Sequence, residues 1–428
     1  MRPPPLLLGL LLAAPVLAQP APQRAPEAAL PHLEAGFGND WFFLRSSDDD
    51  FIFIPSGRLQ MDFIGGQAGV PAATFLPKRA RLEAFGTLLH HFDFQAGAEF
   101  TFSGQPVSTD NFVVANFTRY AELQVGQFDA PFTMDNRTSD RYSDLQERSS
   151  AVRAFAIPEN KMTGAMVWGQ PESRRAYWSA GLFNGDGINA YPNKDAYFDF
   201  LGRAWIAPLP GALEHVWLGG SYWNGFHKPT AANQVDLTAM KDAAGFTFFG
   251  PRGVGLYGQV TKWGLELNAP VGPFVLKAEY IHGDEGLREV AAGAAKRRSR
   301  LTGDACYARV SWFAFGDPLI NGLGGSQLPP HLFGALAPGK KGDALQLIAQ
   351  YDRVGSTYAA DDGAGTAGDP LVGDYNLDTF TLGANYWYTK HVRLTGNLIF
   401  NTFGGQSPRP LAGRDGNLEV TLRLAVAL

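Results

Sequence analysis

The sequence predicts an all-β chain, a sixteen-stranded antiparallel transmembrane β-barrel, on three observations. Segments with apolar residues at every second place recur through most of the chain. Sixteen of them can be counted, an even number. The connections between them are alternately short and long. The clearest segment ends the chain: in NLEVTLRLAVAL, Leu418, Val420, Leu422, Leu424, Val426 and Leu428 form one row, and Glu419, Thr421, Arg423, Ala425 and Ala427 the other. One such strand would also fit a soluble sandwich, so the rest of the chain decides.

The chain has 428 residues, with Gly 50, aromatic residues 13% and charged residues 18%. No run of about 18 apolar residues follows the N-terminus, which excludes a helical membrane protein but not a barrel. MRPPPLLLGLLLAAPVLA, residues 1–18, has Arg2, an apolar stretch and a small residue at a plausible cut, and reads as a cleaved export signal. Losing Arg2 leaves 35 basic residues against 41 acidic ones. The single cysteine, Cys306, has no partner for an internal disulfide. Residues 19–52 read as an N-terminal periplasmic segment that begins as a Pro- and Ala-rich tether, and 53–428 as the barrel domain.

The sixteen strands are expected to begin near residues 53, 78, 91, 110, 121, 162, 175, 197, 213, 257, 273, 303, 343, 376, 391 and 416. In the first, SGRLQMDF, Leu59, Met61 and Phe63 face lipid, so Arg58, Gln60 and Asp62 face the lumen. In the second, PKRARLEAFGTL, Ala80, Leu82, Ala84 and Leu88 point out and Arg79, Arg81 and Glu83 point in. HFDFQAGAEFTF sets a row of Phe92, Phe94, Ala96, Ala98, Phe100 and Phe102 against Asp93, Gln95, Gly97, Glu99 and Thr101. Toward the end, DTFTLGANYWYT and HVRLTGNLIFN repeat the pattern. Tight connections follow the even-numbered strands and long ones follow odd-numbered strands, at 129–161, 224–256, 284–302 and 355–375; the connection 316–342 is long on the short side. Closure removes sheet edges that hydrocarbon would not tolerate.

Arg203, Lys277 and Arg309 also fall on polar rows. Inward arginines can replace part of an oxyanion's hydration and favour anions. Pairing with Glu83, Glu99, Glu266 and Glu279 would instead make them internal ion pairs, and the sequence leaves both readings open. The segment 129–161 lacks alternation and carries Arg137, Arg141, Arg148, Arg153 and Lys161 among hydroxyls; alone it reads as an exposed loop.

SGRLQMDF, PKRARLEAFGTLLHHFDFQAGAEF, LQVGQFDAPFTMDNRTSDRYSDLQERS and LGANYWYTKHVRLTGNLIF together resemble the phosphate-selective porin family, the O and P porins, from about residue 56 onward. The resemblance implies a trimeric outer-membrane channel whose third loop folds into the lumen as a constriction, with basic residues leading anions to a central site. Arg58 matches the family's first-strand arginine, Lys78 and Arg79 its basic pair opening strand two, and Arg148 the arginine of the loop's ER motif. Arg141 stands at a basic loop position and Ser139 at a hydroxyl. Asp110 or Asn111 stands near the family's acidic residue opening strand four. With Arg81, these residues are the expected pore lining. The chain departs from the family at Asn136, where a lysine is expected with Arg137 displaced by one, at Asp140, where a hydroxyl is expected, and at Leu428, where an aromatic is usual. Loop three carries five basic residues against six acidic ones, Asp129, Asp135, Asp140, Asp144, Glu147 and Glu159.

KRRSR at 296–300 reads as a loop patch facing anionic headgroups or drawing anions to the mouth. DDD at 48–50 and DDGAGTAGD at 361–369 read as solvated turns, and His90 and His91 as turn residues meeting water. No metal site, cofactor or nucleic-acid partner is expected. The function expected is passive diffusion of small inorganic anions, phosphate or polyphosphate first, through a homotrimer in outer-membrane lipid. The alternatives are a weakly selective general porin and, more distantly, a barrel hydrolase.

Overall fold

The computed structural model describes residues 31–38, 41–101, 106–155, 161–229, 237, 239–250, 254–289, 298–316, 344–360, 372–389 and 391–427. The leader, most of the tether, Lys296 and Arg297, the stretch 361–369, the connection 317–343 and Leu428 lie outside them.

A hairpin of β1 (Leu33–Gly38) and β2 (Trp41–Ser46) precedes the barrel. The wall begins with β3 (Phe51–Gly66), β4 (Thr74–Leu88), β5 (Phe92–Glu99), β6 (Val107–Ala115), β7 (Glu122–Asp129), β8 (Lys161–Gly169), β9 (Ala176–Phe183), β10 (Asp199–Ile206) and β11 (Trp217–His227). A small separate hairpin, β12 (Met240–Lys241) and β13 (Thr247–Phe249), interrupts it. The wall resumes with β14 (Val254–Val271), β15 (Phe274–Glu289), β16 (Arg298–Phe315), β17 (Ala344–Ala360), β18 (Gly373–Thr389), β19 (Val392–Gly405) and β20 (Gly416–Ala427). Each wall strand pairs antiparallel with the next, and β20 pairs with β3 from Glu419↔Gly66 to Ala427↔Arg58, closing sixteen strands. The start of β16 falls five residues before the expected 303, the largest shift.

The period-two rows point as their chemistry requires. In β20, Leu422 and Leu424 are 46% and 49% exposed on the outer face, while Glu419, Thr421 and Arg423 are 0%, 3% and 0% exposed inside. Leu59, Met61 and Leu82 are likewise exposed, and Gln60, Asp62 and Glu83 buried.

Two features were not read from the sequence. Residues 33–46, within the stretch read as the N-terminal periplasmic segment, form the β1–β2 hairpin, which also pairs with β3 at Leu44↔Phe53 and Arg45↔Ile52. The inner face of β8–β11 carries aromatic rings beside polar residues such as Asp199, Arg203 and His227. Trp168, Tyr177, Trp205 and Trp217 run ring to ring across four strands at 6.4, 6.2 and 5.2 Å. They join a buried apolar cluster inside the barrel with Phe132, Val152 and Phe155, which come from the connection between β7 and β8. The interior is therefore uneven: an apolar cluster lies against β8–β11 and parts of β14–β19, with the Arg203–Glu266 pair beside it, while polar side chains line β3, β4 and β20. The DDD turn at 48–50 is a β2–β3 turn, with Asp49 at φ 60° and Asp50 N–H donating to Asp48 Oδ1 at 3.2 Å.

Candidate functional site: the loop between β7 and β8

The long connection after β7 is an inward loop. Its first short helix, α1 (Met134–Arg137), is capped by Thr133, whose hydroxyl accepts from Asn136 N–H at 3.3 Å. Glu279, on the inner face of β15, accepts the N–H groups of Met134 and Asp135 at 2.8 and 2.7 Å and the Tyr307 hydroxyl at 2.8 Å. A carboxylate at a helix start meets unpaired donors and the positive end of the dipole. The second, α2 (Ser150–Phe155), buries Ala151, Val152 and Phe155. Gly283 and Gly303 make room for that last ring: a Cβ on Gly283 would lie 2.4 Å from Phe155 Cδ1, and one on Gly303 2.8 Å from its Cζ.

The polar middle of the loop is held by inward side chains from most of the opposite wall. Asp144 takes Lys277 Nζ at 2.8 Å, Arg309 Nη1 at 2.8 Å and Gln346 Nε2 at 2.9 Å. Arg423 donates to Gln146 O at 2.6 Å and reaches Glu147 Oε1 at 3.1 Å, while Arg393 Nη1 donates to Ser143 O at 2.5 Å. Burial pushes the Asp144 carboxyl up, but Lys277 and Arg309 outweigh it and hold it well below the usual carboxylate range. Glu147 is likewise held down against burial by Lys78 first and Arg423 second.

Against this frame the sequence-predicted site residues fall into three groups. Arg58, Arg79, Arg81 and Arg141 gather around two carboxylates, Glu83 of β4 and Asp140 of the loop. Arg58 Nη2 donates to both Glu83 oxygens at 2.8 and 2.7 Å and its Nη1 to Asp140 Oδ1. Arg79 Nε lies 2.5 Å from Asp140 Oδ2, and its Nη1 donates to Gln60 at 2.7 Å. Arg81 approaches Glu83 at 3.8 Å and Glu99 at 3.4 Å, and Arg141 Nη2 donates to Glu83 at 3.1 Å and Ser56 at 2.5 Å. Burial first, then the neighbouring Arg58, lowers the Arg141 guanidinium from its ordinary value. Its planar face lies 5.2 Å from the Trp41 ring, which brings the N-terminal hairpin beneath the same cluster.

Lys78, on β4, and Arg148, in the loop, do different work. Lys78 Nζ meets Glu147 at 2.8 Å, with 31% of its side chain exposed. Arg148 spans the loop's own backbone, donating to the carbonyls of Asp135, Asn136 and Thr138 at 3.0, 3.3 and 3.1 Å. Ser139 Oγ accepts from Arg141 N–H at 3.4 Å. Asp110 is engaged by Lys161 Nζ at 2.7 Å, which also takes Asp129 at 2.8 Å, and Asn111 bonds Ser108 and Gly97 O. The other expected inward cations are paired: Arg203 with Glu266 at 2.7 Å, and Lys277 and Arg309 with Asp144. Of the four glutamates expected as partners, Glu279 takes N–H and O–H donors instead.

Sequence reasoning missed Asp140 and Asp144 as the loop's chief acceptors, and Trp41 altogether. The near balance of acidic and basic residues in the loop was the available signal for the carboxylates; for Trp41 there was none.

The family described as phosphate-selective porin O and P matches residues 56–409. Porin O of Pseudomonas aeruginosa is 24% identical over 386 residues, 83% of this chain and 84% of that protein. Among solved structures, the loop L8 deletion mutant of OmpT, an outer membrane protein of Vibrio cholerae, superposes with a TM-score of 0.55 at 12% identity, covering 89% of this chain and 100% of that one. The in-vitro folded trimer form of the same protein gives a TM-score of 0.53 at 12% identity, with 89% and 100% covered. These structures share the fold. The closed barrel with its lipid-facing outer rows and the match over most of the chain agree: this protein belongs to the phosphate-selective porin O and P family and is a channel of the bacterial outer membrane.

Proposed function

We propose that the channel conducts small inorganic anions, with phosphate the preferred solute, and that Arg58, Lys78, Arg79, Arg81 and Arg141 line the stretch that recognises them. The observation that carries this is the meeting of guanidinium groups from β3, β4 and the inward loop in one place. Four guanidinium groups within one partly dehydrated region, with Lys78 next in sequence to Arg79, attract an oxyanion more strongly than separate charges in a wide, screened lumen. Arg148 and Ser139 contribute by shaping the loop, and Asp110 by orienting Lys161. The Vibrio trimer and the family support a homotrimer, which cross-linking of the purified protein in detergent tests.

A second reading, a weakly selective general porin, is favoured by one feature: Arg58, Lys78, Arg79, Arg81 and Arg141 each contact a carboxylate. The two readings separate in a planar bilayer. Under the phosphate reading, inorganic phosphate blocks the chloride current of the wild type at concentrations far below those of chloride, and Arg58→Ala weakens the block several-fold. Chloride current indifferent to phosphate in both proteins would favour the general porin. A barrel hydrolase is separated from both by assaying the purified protein for ester or lipid turnover.

A further inference from the structure

Asp140 sits between two wall arginines that an anion would have to meet. Its Oδ1 accepts from Arg58 Nη1 and its Oδ2 lies 2.5 Å from Arg79 Nε, so both carboxylate oxygens are used as a bound oxyanion would use them. The two arginines differ in what else they hold. Arg58 is also gripped by Glu83, whereas Arg79 otherwise donates to the neutral amide of Gln60. The Asp140, Arg58 and Arg79 side chains keep 11%, 7% and 16% of their surface, so the cluster is dehydrated but still reached from the lumen.

The carboxylate is not what seats the loop here. The main-chain oxygen of Asp140 accepts from Arg393 Nη2 at 3.2 Å, Ser143 O accepts from Arg393 Nη1, and Asp144 is locked to Lys277 and Arg309. Removing the Asp140 charge therefore leaves the loop in place, Arg58 with Glu83 alone and Arg79 without a contacting carboxylate. A largely desolvated cation such as Arg79 without its counter-charge is costly, and a mobile anion entering the gap beside Arg58 relieves that cost.

We infer that Asp140 is a built-in counter-anion: its carboxylate occupies the position a permeating oxyanion would take between Arg58 and Arg79, and it sets how tightly the channel holds anions. This rests on the anion-channel reading above. The residue determines specificity by competition, so passage of phosphate requires the loop carboxylate to yield one or both arginines. It also explains how a lumen rich in arginine can conduct rather than trap its solute, since a resident competitor weakens every bound state.

The test is the phosphate concentration that halves chloride current in planar bilayers, together with the reversal potential in a potassium chloride gradient. It compares wild type, Asp140→Asn, Asp140→Ser and Asp140→Glu, each first shown to be folded by heat-modifiable migration in gels. The inference predicts half-block at about ten-fold lower phosphate in Asp140→Asn and Asp140→Ser, as expected for a gained charge-assisted contact. The reversal potential should move further toward chloride in both, and Asp140→Glu should restore wild-type behaviour. An anion-selective, phosphate-blocked wild type whose Asn and Ser variants behave identically would overturn the role of Asp140 and leave the anion channel standing. Wild type and variants that are all cation-selective and indifferent to phosphate would overturn both. Failure of both Asn and Ser variants to fold would show that the carboxylate is structural, which also overturns the inference.

Discussion

Arg423, on the last strand, grips Asp62, on the first wall strand, through two parallel bonds of 2.7 and 2.8 Å, and so fastens the seam where the barrel closes. The same guanidinium reaches Gln146 O and Glu147 of the inward loop, so one buried residue ties closure to that loop. Arg423→Met leaves Asp62 buried and unpaired, and the expected loss is about 3–5 kcal/mol. Adding Asp62→Leu removes the orphaned charge and should recover much of it. A double-mutant cycle on urea unfolding of the detergent-solubilised protein measures the coupling. Additive single effects would mean that the pair does not act as a unit.

The outward row of the same strand offers a test of facing. Leu422→Arg puts a charge against lipid at a cost of about 2–4 kcal/mol near the midplane, while Thr421→Arg puts it among Asn397 and other lumen groups. Folding yield into lipid vesicles should drop for the first and hold for the second; equal yields would contradict the assignment of faces.

A close approach can also be tested. Gly283→Val adds atoms where the Phe155 ring already lies 2.4 Å from the position of a Cβ, so α2 must leave its seat. Proteolysis within the β7–β8 loop should become faster while the barrel keeps its heat-modifiable migration. Unchanged protection would show that the ring is not held there.

The β7–β8 loop and the β12–β13 hairpin respond to pH in opposite senses. Asp144 and Glu147 titrate below their ordinary range, so their contribution is complete above the unfolded value and lost as pH falls through the lower folded one. The β7–β8 loop should stay seated from pH 8 down to about 4 and loosen only in stronger acid. Asp242, beside β12, is raised by burial, with the Phe246 N–H first and Arg153 second acting against it. Its contribution is complete below the unfolded value and lost as pH rises through the folded one. The β12–β13 hairpin should therefore be better protected from hydrogen exchange in mild acid than in alkali. Protection that changes in the same direction for both segments would contradict these assignments.

How much of this was legible follows from the range of each interaction. The faces of β3, β4 and β20 follow from local alternation, because Leu59, Leu82 and Leu422 fix the direction of the adjacent Arg58, Arg81 and Arg423. Partners are another matter. Arg58 meets Asp140 across 82 residues and Lys277 meets Asp144 across 133, and no period in the sequence encodes such a meeting. Arg148 illustrates the limit: its family position was readable, but its three backbone acceptors were not. The β1–β2 hairpin escaped notice because LEAGFG alternates weakly and is mostly exposed, so it carries little apolar signal. The aromatic rings on the inner face of β8–β11 escaped because their burial depends on Phe132 and Phe155 arriving from the loop.

The most direct measurement of the central claim is the zero-current potential of the purified wild-type channel in a planar bilayer separating two concentrations of potassium chloride at neutral pH. The convergence of Arg58, Arg79, Arg81 and Arg141 predicts a potential of the sign set by chloride, moving further that way when Glu83, which partners three of them, is replaced by Gln. A potential of the sign set by potassium, unmoved by Glu83→Gln, would contradict it.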